Sequence, residues 1–333
     1  MDKIAYFLGD TPVYWSSLVI IFGAVSCFLL TLALYTGRGG KASAVLFFMP
    51  IAAILGIYLA RALHCYCHPE RYQSLASALG NLGEGEFCLA GVHAAVIIAV
   101  IVIKLLGLIS KPEDFFDCLV PGYTLLIAMI RLSAYFNTTC RSKIIMPDER
   151  YHMLPFASPV TNTSGVVEWR FATFFIEFLL LLAVFAIVMY FYANHRKDLM
   201  KRKVTHKGNT ALMFLLFFSA VELILDSTRY DASFAHFNAF VSITQMVSAV
   251  SIIFVLVIYS IRSIRANGLR GWHFAIWFGF LAAIGGVGAS EYLVQRHGDW
   301  YRKCYAWMAL AIIAMVTLIC VMYNTARRKK PSV

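Results

Sequence analysis

Long apolar runs separated by short polar breaks recur along the chain from residue 14 to residue 323. Each approaches or exceeds the about 20 residues that a helix needs to cross a bilayer. Nine read this way, at 14–36, 43–64, 86–108, 116–137, 170–193, 210–227, 239–261, 272–293 and 304–323. The breaks between them are too short for a separate soluble domain. The pattern predicts an all-α fold: a polytopic integral membrane bundle of about nine transmembrane helices. The first run follows MDKIAYFLGDTPV, lacks a basic leader and is too long for a signal-peptide core, so it is expected to remain as the first helix.

Composition agrees with the pattern. Hydrophobic residues make up 60% of the chain and charged residues 14%, against about 25% charged in soluble domains. The net charge of +11 suggests a nucleic-acid partner only until the basic residues are placed. Arg38 and Lys41, the run from Arg196 to Lys207, the trio Arg262, Arg265 and Arg270, and the tail from Arg327 to Lys330 fall in alternate loops. The excess of Lys and Arg in cytoplasmic loops then puts the N-terminus outside and the C-terminus inside. The basic tail is an orientation signal, with anionic-lipid contact as a secondary role.

The outer loops on this topology hold most of the polar chemistry. GNLGEGE has the glycine density of a turn or re-entrant segment, tolerated at membrane depth only against protein or a water-filled cavity. HCYCH, with His64, Cys65, Cys67 and His68, invites a metal reading. Its single-residue gap between cysteines is tighter than the usual two to four. It reads instead as the outer end of a helix stopped by Pro69, and no metal is expected. Of eight cysteines, Cys27, Cys88, Cys118 and Cys320 lie within spans and read as small buried hydrophobes. Cys65, Cys67, Cys140 and Cys304 fall near the outer face, where oxidation is chemically open.

Charges inside the spans are more telling, because each is costly at membrane depth and marks either function or a structural network. Arg61 lies near the outer end of the second span and Arg131 near that of the fourth. Glu177 is in the fifth span, and Glu222, Asp226 and Arg229 follow one another toward the outer end of the sixth. Glu222 and Asp226 share a helix face, and Asp226 and Arg229 are close enough to pair on one turn. His93 adds a proton carrier in the third span. A structural reading pairs Arg131 with Glu222 or Asp226; a functional one presents it to an anionic ligand. Both readings stay open on position alone.

Ordered motifs then bring in a resemblance. YWSSLVIIFG, YLARALHCYCHPERY, GEFCLAGVHAAVIIAV, LVPGYTLLIAMIRLSAYFN, WRFATFFIEFLLLL and LILDSTRYDASFAHFNAFVSITQMVSAVSIIF follow one another from about residue 13 to residue 261. In this order they resemble segments of the bacterial prolipoprotein diacylglyceryl transferases. Arg131, Leu132 and Asn137 match that family's signature segment, Glu177 its next helix, and Asp226, Arg229, Gln245 and Ser248 its late acidic-x-x-Arg and Gln-x-x-Ser motifs. The resemblance implies a seven-helix core over 1–262 with an external N-terminus. Residues 263–333 would add two helices and a basic cytoplasmic tail. Some matches are replaced: Ser16 stands where the family has Tyr, Ala90 where it has His, Ala134 where it has Asn, Thr139 where it has Glu, and Glu222 where it has Arg.

The resemblance implies transfer of a diacylglyceryl group from phosphatidylglycerol to the lipobox cysteine of a prolipoprotein, at the outer leaflet of a bacterial plasma membrane, with release of glycerol 1-phosphate. Arg131, Arg229, Asn137 and Arg61 are the expected lipid phosphate ligands, since a guanidinium fork matches phosphate oxygens. His93, Glu222 and Asp226 are the expected catalytic residues, because a thiol must lose its proton to become the nucleophile. The partners are the phospholipid and the prolipoprotein segment, with no cofactor, no metal and no nucleic acid. The replaced positions keep open an alternative, a non-catalytic phospholipid- or lipoprotein-binding protein on the same fold. A solute transporter is the weaker third reading, because no pair of interrupted helices recurs in matching halves.

Overall fold

The computed structural model of the chain describes residues 3–72, 74–80, 87–137, 139–162, 164–200, 207–235, 238–296 and 300–327. Its helices are α1 (Trp15–Thr36), α2 (Ala42–Cys67), the short α3 (Leu75–Gly80), α4 (Leu89–Leu105), α5 (Pro112–Ser133), α6 (Thr173–Met200), α7 (Asn209–Thr228), α8 (Ile243–Asn267), α9 (Gly271–Arg296) and α10 (Tyr301–Arg327). All but α3 correspond to an apolar run read from the sequence. Among the described residues, eight are long and apolar enough to cross a membrane, and α4 is a shorter apolar helix. The chain is a multi-pass helical membrane protein. The run 86–108 gives the shorter α4 because the chain turns at Gly107, whose φ of +71° a side chain would strain. Most of GNLGEGE lies outside the described residues.

Among the described residues, three antiparallel hairpins accompany the helices: β1 (Ile4–Leu8) with β2 (Thr11–Tyr14), β3 (Ala157–Thr161) with β4 (Val167–Phe171), and β5 (Phe234–Ala235) with β6 (Asn238–Ser242). Each leads at once into a helix, α1, α6 or α8. In the expected orientation these are odd-numbered spans that run inward, so each hairpin lies at an outer helix start.

The chain forms two compact units. The first comprises Met1–Phe214 with Thr228–Ser233, and the second Leu215–Ser227 with Phe234–Val333. In the first, α5 is more buried than α1, α2 or α6. It packs against α1 and α6, and α2 packs against α4. Small residues allow the closest approaches, as is general where lipid leaves little hydrophobic force between helices. A Cβ on Gly122 of α5 would lie 2.8 Å from the Cys27 carbonyl of α1. In the second unit α8, α9 and α10 pack together, so α8 of the 1–262 segment groups with the two helices that follow it.

The helix ends at the expected inner face are closed by charge. Pro112 opens α5, with Glu113 and Asp114 in its first turn, where Pro fits and acidic groups meet the positive end of the helix dipole. One turn on, Asp117 is fully buried. Its carboxylate accepts the backbone N–H groups of Gly208 (2.9 Å) and Ala211 (3.0 Å) at the start of α7. Arg38 sits 4.0 Å from the same carboxylate, and Lys207 pairs with Asp114. An acidic side chain of one helix thus caps another.

Candidate functional site

The loop between α5 and α6 is organised by backbone hydrogen bonds around the segment Cys140–Met146. On one side the Ser142 N–H donates to the Phe171 carbonyl (3.0 Å) and the Met146 N–H to the Trp169 carbonyl (2.8 Å), both on β4. On the other side the Lys143 N–H donates to the Thr228 carbonyl (2.8 Å) and the Tyr230 N–H to the Arg141 carbonyl (3.1 Å). Ser142 and Arg229 face each other as a bridge. The hydroxyls of Thr173 and Thr228 meet at 2.9 Å. The backbone that carries Arg229 is therefore woven into the loop that follows Arg131.

Side-chain charges join across this weave. Arg131, at the end of α5, forms an ion pair with Glu177 of α6, and the two side chains are 4% and 0% exposed. The Arg131 guanidinium also donates to the Cys140 sulfur at 3.5 Å. The Cys140 N–H donates to Asp231 (2.8 Å), and the other oxygen of Asp231 accepts from Arg229 Nε (3.0 Å). A chain of contacts Glu177, Arg131, Cys140, Asp231, Arg229 results. Cys140 holds a left-handed backbone, φ 55°, sparsely populated for a residue with a Cβ. Arg141 donates to Ser158 (2.9 Å), reaches the Asn137 carbonyl, and lies over the Phe174 ring.

Burial pushes the Cys140 thiol above its ordinary range, against the opposing pull of Arg229 and Arg131. Burial also raises the Asp231 carboxyl, but the Arg229 charge and the hydrogen bonds from Arg229 and the Cys140 N–H outweigh it and hold the carboxyl below its usual value. The Arg141 guanidinium is lowered by burial.

The sequence-predicted site residues divide into groups. Arg131 and Arg229 belong to the one chain of contacts. Asn137 lies beside it, its side-chain oxygen accepting from the Thr139 N–H at 3.0 Å and from the Thr139 hydroxyl. Arg61 anchors a second cluster at the end of α2. It is 1% exposed and donates to the Tyr72 hydroxyl (3.0 Å), which also meets His64 Nδ1 (3.0 Å). α2 ends at Cys67, just before Pro69, so HCYCH is the helix end that its composition suggested. Among the described residues no His, Cys, Asp and Glu group is arranged to hold a metal ion.

His93 of α4 is bonded to the Tyr123 hydroxyl of α5 at 2.6 Å. Two residues earlier on α4, Gly91 lies against α2, where a Cβ would fall 2.5 Å from both the Leu59 carbonyl oxygen and the Ala60 Cα. The glycine brings the start of α4, with Ala90, onto the backbone beside Arg61.

Glu222 and Asp226 are buried on α7 in the second unit. Asp226 accepts a hydrogen bond from the Ser242 hydroxyl. Ser242 caps α8 in a reciprocal box with Gln245, and Gln245 also donates to the Leu223 carbonyl (3.2 Å). Gln245, matched by motif, thus ties α7 to α8.

Sequence reasoning did not connect four residues of the cluster: Cys140, Arg141, Asp231, and Glu177 as the partner of Arg131. Glu177 stood out only as an intramembrane charge. Asp231 follows Arg229 by two positions in TRYD, a signal available but unused.

Among the described residues, eight membrane-length helices, a shorter apolar one and a buried arginine–carboxylate cluster at the helix ends define a multi-pass helical membrane protein. The chain belongs to the prolipoprotein diacylglyceryl transferase family, whose sequence profile matches residues 3–261. It is similar to the phosphatidylglycerol–prolipoprotein diacylglyceryl transferase of Streptococcus mutans serotype c, with 24% identity over 233 residues, 70% of this chain and 85% of that relative. α9 and α10 lie beyond the matched segment.

Proposed function

We propose that the protein transfers a diacylglyceryl group from phosphatidylglycerol to the lipobox cysteine of a prolipoprotein at the outer leaflet of a bacterial plasma membrane. The observation that carries this reading is the contact chain from Arg131 through Cys140 and Asp231 to Arg229. It brings to one place the two arginines expected to bind phosphate. In the reaction the acceptor thiol loses its proton and its sulfur forms a C–S bond to the glyceryl carbon. The C–O bond to phosphate breaks, and glycerol phosphate departs with the bonding electrons. Arg131 and Arg229 hold the phosphate and stabilise the charge that grows on it. Glu177 and Asp231 fix the two guanidinium groups so that little reorganisation is needed. Asn137 and Arg61 are the further lipid ligands. His93, Glu222 and Asp226 are the catalytic candidates, with His93 as carrier of the thiol proton.

The test uses purified protein, labelled phosphatidylglycerol and a lipobox peptide. The expected result is a thioether-linked diacylglyceryl peptide with an equal amount of glycerol phosphate. Arg131→Lys and Arg229→Lys should each lose most of this activity, because a lysine does not reproduce the bidentate fork. Saturable lipid binding with no product would instead support the non-catalytic reading. Thr139, where the family has Glu, favours that reading, since its groups are spent on Asn137.

A further inference from the structure

The last turn of α7 carries Asp226 and Ser227 and leads directly to Arg229. Ser227 is 2% exposed and is held at two atoms. Its hydroxyl donates to Glu291 Oε2 of α9 (2.5 Å). Its carbonyl, one of the final four that a helix leaves without an internal partner, accepts from the Tyr305 hydroxyl of α10 (3.2 Å). Glu291 is itself buried, and its second oxygen accepts from Gln295 (2.9 Å). One residue before Ser227, Asp226 is fastened to the Ser242 hydroxyl. The turn is thereby pinned in succession by α8, α9 and α10, all within one compact unit. A buried carboxylate in an apolar helix is expensive and is kept where it has work. Here both oxygens of Glu291 are engaged, and one of them is spent on the middle of the Asp226–Arg229 motif.

We propose that Glu291 and Tyr305 are positioning residues for this motif, supplied by two helices that the family match does not cover. They fix the last turn of α7 at Ser227, from which the chain runs on to Arg229. The proposal rests on the reading of Arg229 as a phosphate ligand. It deepens that reading by giving α9 and α10 a hold on the helix turn that precedes Arg229 in the chain.

The test takes the full chain in phosphatidylglycerol nanodiscs, with Glu291→Ala, Glu291→Gln and Tyr305→Phe. Backbone hydrogen exchange over residues 224–231, transfer kinetics and Tm are measured on each. Glu291→Ala and Tyr305→Phe should keep α8–α10 protected and Tm within a few degrees. They should speed exchange in the last turn of α7 and cut turnover at saturating lipid on the order of tenfold to a hundredfold, the scale of a catalytic group moved by about 1 Å. Glu291→Gln retains an acceptor for Ser227 and should recover part of the loss. Folded variants with wild-type exchange and wild-type turnover would overturn the proposal, as would a loss of turnover that only follows the loss of folded protein. If wild-type protein itself transfers nothing, the functional reading fails. The exchange measurement then still decides whether Glu291 and Tyr305 hold the turn.

Discussion

Replacing Arg131 by Gln separates its two duties, as partner of Glu177 and as ligand for the lipid. Both members of the ion pair are almost wholly buried, at 4% and 0% exposure, so solvent screening removes little of the effect. Taking away Arg131 removes a buried counter-charge from Glu177, a change that costs about 3–5 kcal/mol. At roughly 2 °C per kcal/mol for a large domain, Tm should fall by about 6–10 °C. The double variant Arg131→Gln, Glu177→Gln removes both charges and should recover most of the loss, because the penalty belongs to the buried charge left behind. The assay is thermal unfolding in one detergent at one scan rate, with phosphatidylglycerol binding measured on the folded fraction. The double variant should regain stability without regaining lipid binding. A single variant as stable as wild type would refute the ion-pair reasoning. Lipid affinity restored together with stability would show that Arg131 serves the fold alone.

Other outcomes follow from the same structure. Tyr72→Phe removes the hydroxyl that serves both Arg61 and His64, and losing these buried hydrogen bonds should cost about 1–3 kcal/mol in thermal unfolding. Gly91→Ala drives a methyl into the α2 backbone 2.5 Å away, whereas Gly56→Ala meets nothing within 4 Å. The first should therefore destabilise by about 1–3 kcal/mol and the second should leave Tm unchanged. The depressed carboxyl of Asp231 contributes stability that is present above its unfolded pKa of about 3.9 and lost as pH falls through its lower folded value. The Tm deficit of Asp231→Asn should hold steady through neutral pH and shrink in acid; a deficit that grows in acid would contradict the Arg229–Asp231 pair. For topology, a cysteine at the exposed Met153 should react with an impermeant maleimide in intact cells, and one replacing Lys201 should not.

The long apolar helices were legible because a bilayer demands long apolar stretches and leaves few other ways to read them. The hairpins were not. MDKIAYFLGDTPV, which holds β1 and most of β2, carries no strand signal of its own, and β4 is divided between the outer loop ending at Glu168 and the apolar run beginning at Arg170. Both β1 and β4 are short and half-covered or exposed along their length, so the alternation of a half-buried sheet is weak. The need of Arg131 for a partner could be read from the cost of its charge alone. That the partner is Glu177 could not, because the facing of α5 and α6 is set by helix packing rather than by any spacing in the sequence. Arg229 was placed by a three-residue spacing to Asp226 that presumed a continuing helix. α7 ends at Thr228, one residue before Arg229, whose Nε donates to Asp231. The Gln245 match was seen as a motif residue, and its work, joining α7 to α8, appeared only with the fold.

The most direct measurement is expression of this protein in a bacterial cell depleted of its own prolipoprotein diacylglyceryl transferase, with a reporter lipoprotein recovered and weighed by mass spectrometry. The account predicts a reporter whose lipobox cysteine carries the mass of a diacylglyceryl group, and none from cells expressing Arg131→Lys at the same level in the membrane. An unmodified reporter beside well-inserted wild-type protein would contradict it.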